Sequence, residues 1–348
     1  MTQSETGAPA GTGDLHGTQT EEFSRPMPEK VSVIFSVFNE EGSLPALFNG
    51  LRQLAGRQGG EWEFLFVDDG SNDASAALIR QFCTEATPEV TVRLIRFSRN
   101  FGHEAAMIAG IDHASGEALL CLDADLQHPL AMIPGMIDRY RKGKDIVIMN
   151  RKSNLGNSPA GNFFSSLFYG LINRLSPDKL QKNSSDFFLI SRQVAELLRH
   201  DFRERNRFLR GIIQIIGFPS DALTYEAPAR IAGKTKYSFL KLTRLTARAI
   251  TSFSNAPLYL GIWFGFFFAL LSLILGLYSL WVFFFGQTPP SGYTTIILFL
   301  SVSFAILFFL IGIIGIYTGY LFDEQKKRPL YIVEESVPPA KPSSPTKP

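Results

Sequence analysis

The sequence predicts an α/β domain with a mainly parallel sheet. A basic amphipathic helix at a membrane interface and two bilayer-spanning helices follow it. Between residues 31 and 150, apolar β-branched runs alternate with helically spaced segments, the pattern of a parallel sheet covered by helices. Polar residues interrupt that pattern where strands end, at Asn39-Glu40, Asp68-Asp69, Arg99-Asn100, Asp123/Asp125 and Asn150-Arg151. From Ala249 to Phe322 there is no Asp, Glu, Lys, Arg or His.

Residues 31–38 are a β-branched and aromatic run, the first strand. Helical spacing follows over 44–54. Residues 63–67 form a second strand ending in Asp68-Asp69-Gly70-Ser71, and 74–83 are helical. Residues 90–97 are a third strand and 104–113 a third helix. Residues 118–122 form a fourth strand that ends in Asp123-Ala124-Asp125, 133–142 are helical, and 145–150 are a fifth strand. Gly156, Pro159 and Gly161 mark a loop. Helices are expected over 162–175 and 197–218. In such sheets ligands bind beyond the carboxyl ends of the strands, so the clustered polar residues predict one site.

The chain has 348 residues and a net charge of +2, which gives no electrostatic pointer to nucleic acid. Cys83 and Cys121 lack metal-type spacing and read as buried thiols. Residues 1–29 contain no apolar run of the kind a signal peptide needs and read as a disordered arm. The segment from Glu335 to Pro348 is rich in Pro, Ser and Lys and also reads as disordered.

Residues 258–285 and 294–322 are each longer than the roughly 20 helical residues that span a hydrocarbon core. Both are apolar on every face, which argues against a buried hairpin of a soluble protein. Ahead of them, Lys241, Arg244 and Arg248 form a stripe separate from Phe239, Leu242, Leu245 and Phe253, as on a helix lying in the interface. Lys326, Lys327 and Arg328 follow the second span, and residues 286–293 carry no charge. Positive flanks stay inside, which predicts a cytoplasmic catalytic domain and tail. The expected division is 1–29 arm, 30–237 catalytic domain, 238–256 interfacial helix, 257–323 two spans and 324–348 cytoplasmic tail.

Two carboxylates at i and i+2 where a strand becomes a loop can reach one hard cation, and such ions often share their shell with substrate phosphates. Asp123 and Asp125 fit that pattern, and Gln127 lies two residues further on. The other reading of the loop is an ordinary polar turn.

Phe38-Asn39-Glu40-Glu41, Val67-Asp68-Asp69-Gly70-Ser71 and Asp123-Ala124-Asp125-Leu126-Gln127-His128-Pro129, in that order on successive strand ends, resemble family 2 glycosyltransferases of the GT-A fold. The segment from Ser98 to Glu104, Asn150-Arg151-Lys152, Asp186-Phe187, the run from Arg205 to Gly211, and Arg230 with Gly233, Thr235, Lys236 and Tyr237 resemble the polyprenyl-phosphate branch. Dolichyl-phosphate mannose synthases are more distantly similar. The resemblance spans about Val31 to Arg328.

It implies inverting transfer of a hexose, glucose from UDP-glucose, onto polyprenyl phosphate, with Mg²⁺ or Mn²⁺. Phe38, Asn39, Glu40, Asp68, Asp69 and Asp123 would bind the donor nucleotide. Asp123, Asp125 and Gln127 would hold the metal. Asp125 and Asp186 would be the catalytic carboxylates, Asp186 as base or as positioning group. Arg151, Lys152, Arg205, Arg207, Arg210, Lys234 and Lys236 would bind the acceptor phosphate. One of Asp68 and Asp69 is also expected to cap the following helix, and a helix N-cap is the competing role for Asn39 or Glu40. The sequence departs from the family pattern at Phe188, where many relatives carry Arg, and at Asn162, where a basic residue is common. Gly and Phe on the spans suit packing between copies, a homo-oligomer. Two other classes compete. A processive polysaccharide synthase would carry Gln-x-x-Arg-Trp, but none of Trp62, Trp263 and Trp281 follows an Arg. A noncatalytic membrane scaffold would not need the carboxylate cluster.

Overall fold

The computed structural model describes residues 24–85, 87–152, 184–205, 207–226, 256–285 and 292–338. The chain runs β1 (Lys30–Val37), α1 (Leu44–Arg57), β2 (Glu61–Asp68), α2 (Ser75–Cys83), β3 (Val90–Phe97), α3 (His103–His113) and β4 (Ala118–Asp123). It continues through α4 (Ile133–Arg141), β5 (Ile146–Arg151), β6 (Ser184–Ser191), α5 (Arg192–His200), α6 (Leu209–Ile215) and β7 (Ser220–Tyr225). Two long helices, α7 (Ala256–Phe285) and α8 (Tyr293–Gln325), precede a short strand, β8 (Val333–Val337).

One sheet holds every strand, in the order β7-β5-β6-β4-β1-β2-β3-β8. β1 pairs in parallel with β2 and β4, β2 with β3, and β5 with β7. β6 runs antiparallel between β4 and β5, and β8 lies antiparallel on the outer edge of β3. The sheet is thus mainly parallel, as the alternation predicts.

Central strands of such a sheet are covered on both faces and read as continuous apolar runs. Val33, Ile34 and Phe35 of β1 are all fully buried. Leu47 and Leu51 of α1, Phe82 of α2 and Met136 of α4 fill one face of the sheet. Ala106 and Ile111 of α3, Leu198 of α5 and Ile212 of α6 fill the other. α3 lies so close to β1 that a Cβ on Gly110 would meet Ile34 Cγ2 at 2.1 Å. Both cysteines are buried and unpaired.

Three expectations change. Residues 197–218 are not one helix: α5 ends at His200 and α6 begins at Leu209. The run from Asp201 to Arg205 has only Phe202 as an apolar member, so no stripe supports a helix there. At the amino end, residues 24–29 are docked. Arg25 donates its backbone N–H to the Arg141 carbonyl at 2.8 Å and pairs with Asp145 at 3.0 Å. At the carboxyl end, Glu335 to Val337 belong to a strand. Glu335 receives Nε and Nη2 of Arg80, a partner its own composition cannot reveal. The expectations at 1–23, 162–175, 238–253 and 339–348, and those for Lys234 and Lys236, lie outside the described residues.

Within α8, Val302–Gln325 is 24 residues long, apolar and wholly unburied. At 1.5 Å per residue it reaches about 36 Å, beyond the roughly 30 Å of a hydrocarbon core. Phe308 and Leu321 on it are 69% and 72% exposed, as suits a surface facing lipid. It is the one helix among the described residues that meets that length and polarity; the apolar stretch Trp263–Tyr278 of α7 is shorter. The expectation of two spans therefore has one such helix behind it here.

Candidate active site

The site forms where the strands of the parallel sheet end. Asp123 closes β4, and β6 runs back beside it with Cys121 opposite Phe188. Two residues further along that register, Asp186 comes opposite Asp123. β6 is antiparallel, so a residue some sixty positions downstream arrives beside the acidic loop. Phe188 itself is buried in the core. Arg210, the first-turn cation of α6, instead donates from Nη2 to Asp186 Oδ2 at 2.8 Å and from Nη1 to the Ser184 carbonyl at 3.2 Å.

His103 links the two carboxylates. It opens α3, with Nδ1 at 3.4 Å from Asp123 Oδ1 and Nε2 at 3.6 Å from Asp186 Oδ2. Nδ1 is also 3.0 Å from Ser36 Oγ. Burial works against a charged ring, but Asp186 and Asp123 outweigh it and lift its pKa to about 9. For Asp186 burial is again opposed: Arg210 and His103 hold its carboxyl well below the usual carboxylate range. Burial, then the Asp186 charge, pushes Glu104 up to about 7. Burial also raises Asp123, against the pull of His103 and His128. Sequence reasoning assigned no role to His103 or Glu104. Their signal was the polar pair opening a helix after a strand end.

His128 accepts the Asp123 backbone N–H on Nδ1 at 3.0 Å, and its ring stacks on Phe187 at 5.2 Å. Burial lowers its pKa, so the neutral ring carries its proton on Nε2. The acidic turn itself is tight. Leu126 has φ +62°, and Asp125 Oδ1 accepts the Gln127 N–H at 3.0 Å.

The loops after β1, β2 and β3 are laced together. Asn39, at φ +56°, donates its N–H to Ser71 Oγ and accepts the Asn72 N–H on Oδ1. Glu40 donates its N–H to Ser75 Oγ and accepts from the Ser43 hydroxyl. Asp68 is fully buried, accepts the Ser71 N–H and faces Arg96 at 3.3 Å. Asp69 accepts the Phe101 and Gly102 N–H groups at 2.6 and 2.9 Å. Neither aspartate caps α2; Asp73 accepts the Ser75 N–H instead. Gly70 permits the lacing, since a Cβ there would meet the Arg99 backbone at 2.6 Å. Phe38 is 43% exposed at the end of this rim, a free aromatic face.

The predicted phosphate-binding cations separate. Arg151, ending β5, donates from Nη1 to Gln127 Oε1 at 3.2 Å. Lys152 pairs with Glu226 at 3.2 Å. Arg207 has a buried Nη1 with no hydrogen-bond partner. Arg205 turns away to the end of α8, its N–H on Glu324 and its Nη1 3.3 Å from the Arg328 carbonyl.

No group of three or more His, Cys, Asp and Glu among the described residues forms a metal shell. Asp123 and Asp125 supply hard oxygens that suit Mg²⁺ or Mn²⁺ provided the substrate completes the shell. Gln127 would first have to release Arg151.

A family model described as glycosyl transferase family 2 matches residues 32–198. A SfII prophage-derived bactoprenol glucosyl transferase of Shigella flexneri is 34% identical over 307 residues, covering 88% of this chain and 98% of its own length. A prophage bactoprenol glucosyl transferase homolog of Escherichia coli is 34% identical over 305 residues, with the same coverage of 88% and 98%. Among solved structures, glucosyl-3-phosphoglycerate synthase from Mycobacterium tuberculosis aligns with a TM-score of 0.45 at 16% identity, covering 65% of this chain and 79% of that one. That structural likeness carries no argument about activity.

Proposed function

The chain belongs to glycosyl transferase family 2, and from that membership we propose that it moves glucose from UDP-glucose to polyprenyl phosphate at the cytoplasmic membrane face. The observation that carries this reading is the 34% identity to bactoprenol glucosyl transferases along 98% of their length. The convergence of Asp123, Asp186, His103 and Arg210 at the strand ends supports it.

In the reaction an acceptor phosphate oxygen bonds to the anomeric carbon as the bond to the nucleoside diphosphate breaks. The configuration inverts and the diphosphate leaves with the electron pair. A divalent ion held by Asp123 and Asp125 would neutralise charge on that diphosphate. Phe38 presents an aromatic face to the base. Asp68 and Asp69 act on the donor through the loops they hold, and Asn39 and Glu40 do the same, because each spends hydrogen bonds on neighbouring loops. Asp186 is a positioning group: the Arg210 and His103 contacts hold its pKa so low that the carboxylate is a weak proton acceptor. A phosphate monoester, with a second pKa of about 6, attacks without one. Arg151, bonded to Gln127 of the acidic loop, and Arg207, beside Glu104, are the cations for the acceptor phosphate in this reading.

The sheet supports a two-span reading. β7 and β8 flank the two long helices in sequence and share one sheet, which fits an even number of membrane crossings between them. With α8 as one crossing, α7 is the other, and the tail lies on the catalytic side. Gly312, Gly315 and Gly319 of α8 leave open space beside them, which suits close approach of another copy.

The test is to incubate detergent-purified protein with polyprenyl phosphate, Mg²⁺ or Mn²⁺ and a panel of UDP- and GDP-sugars, reading glycolipid by mass. One phosphate-linked hexose from UDP-glucose is expected. No transfer from any donor, with the lipid intact, would overturn the reading.

A further inference from the structure

The apolar helix α8 ends at Gln325, and the chain then turns sharply. Lys327 takes a left-handed conformation, φ +47°, of the kind glycine usually supplies after a helix. The turn returns residues 329–331 to the catalytic domain. There Tyr331 stacks on Phe97 at 5.1 Å and donates its hydroxyl to Asp112 Oδ2 at 2.7 Å. Asp112 also receives the Arg203 guanidinium at 2.7 and 3.1 Å. Between this returning tail and the 203–205 segment lies a cavity of about 480 Å³.

Arg203, Arg205, Lys327 and Arg328 line it against one carboxylate, Glu324. Lys327 and Arg328 have no ion-pair partner among the described residues. Arg203 is fixed in place by Asp112, so part of the charge is preorganised. Lys327 and Arg328 stand within three residues of the end of the apolar window; with α8 as a span, that is the depth of lipid head groups.

We propose that this cavity binds the phosphodiester head group of an anionic bilayer phospholipid of the phosphatidylglycerol class. Guanidinium groups match phosphate oxygens in pairs, and the lysine adds a point charge. The acceptor lipid in its reacting position is a different ligand. The cavity is anchored at Asp112, nine residues along α3 from His103, about 14 Å at helical rise. Occupied, the cavity ties the tail, and through Tyr331 and β8 the sheet, to the membrane surface. The inference rests on α8 as a membrane span and not on which sugar is transferred.

The experiment is native mass spectrometry of the full-length protein titrated with phosphatidylglycerol, with phosphatidylcholine as neutral control. Glycosyl transfer is measured in parallel. Retention of phosphatidylglycerol over phosphatidylcholine is expected. Lys327→Ala with Arg328→Ala should weaken it about tenfold, while Lys327→Arg with Arg328→Lys, which keeps both charges, should retain it. The charge-keeping pair also guards against a folding artefact, since it perturbs the same turn. Equal retention of the two lipids, or no loss in the alanine pair, overturns the proposal. Stoichiometric displacement of phosphatidylglycerol by polyprenyl phosphate also overturns it, by giving the cavity to the acceptor. Failure of the transferase reading would show separately, as absent transfer with lipid retention unchanged.

Discussion

Arg210 and Asp186 form a direct ion pair, Nη2 to Oδ2 at 2.8 Å, and the His103 ring stands 3.6 Å from the same oxygen. One carboxylate is therefore held between two cationic groups on α6 and α3. Such a carboxylate resists protonation and is better suited to orienting neighbours than to removing a proton.

Asp186→Asn should lower the transfer rate about tenfold to a hundredfold. The pH at which activity declines on the acid side should stay where it is, because wild-type Asp186 is already ionised there. A pH–rate profile decides this. An acid limb that disappears in the variant would assign base catalysis to Asp186.

Asp125→Ala should cut transfer by at least about a hundredfold, the scale of losing electrostatic help to a leaving group. Calorimetry of UDP binding with Mg²⁺ and with a chelator measures it independently. Wild-type affinity should depend on the metal, and the variant's should not. Equal metal dependence in both would remove Asp125 from the metal.

Membrane topology can be read by impermeant thiol labelling, since Cys83 and Cys121 are buried. Ser291→Cys lies between the two long helices in sequence, and Ser336→Cys on the exposed face of β8. The two should label from opposite sides of sealed vesicles. Labelling from one side only would break the two-span arrangement.

Glu63 accepts from the Ser32 hydroxyl, the Ser115 N–H and Arg93 Nη1. Burial disfavours its charge, yet those donors bring its pKa below the ordinary 4.5. A lowered folded-state pKa stabilises the fold above the unfolded value, and that stabilisation is lost as pH falls through the folded value. Thermal unfolding should therefore show a decline that begins near pH 4.5 and deepens below it. Glu63→Gln should flatten that decline and cost about 1.5–3 kcal/mol at neutral pH.

Gly70→Ala should destabilise the domain by about 1–3 kcal/mol and weaken donor binding, because φ is +70° and the new Cβ would meet Arg99 at 2.6 Å. Melting temperature and UDP affinity report the two effects. An unchanged melting temperature would mean that the loops after β2 and β3 can separate freely.

The strand ends that carry the candidate donor residues were legible in the sequence. The third strand was expected over 90–97 and found as Val90–Phe97, and the carboxylates fell at strand ends as their spacing implied. The acceptor side was less so. Arg205 and Arg210 lie five residues apart, yet one meets the end of α8 and the other meets Asp186. Lys152 is held by Glu226. Spacing along a chain does not say where a long side chain finds its partner once the helix breaks.

By itself the sequence determined the local elements through β5 and the apolar character of the C-terminal helices, because side-chain period and β-branching act over a few residues. Only the tertiary structure decided that β6 runs antiparallel into the sheet, bringing Asp186 beside Asp123. It alone decided that residues beyond α8 return as β8 on the edge of β3. Strand order and register depend on pairings between distant segments, and those energies are settled only when the whole sheet and its two apolar faces close together.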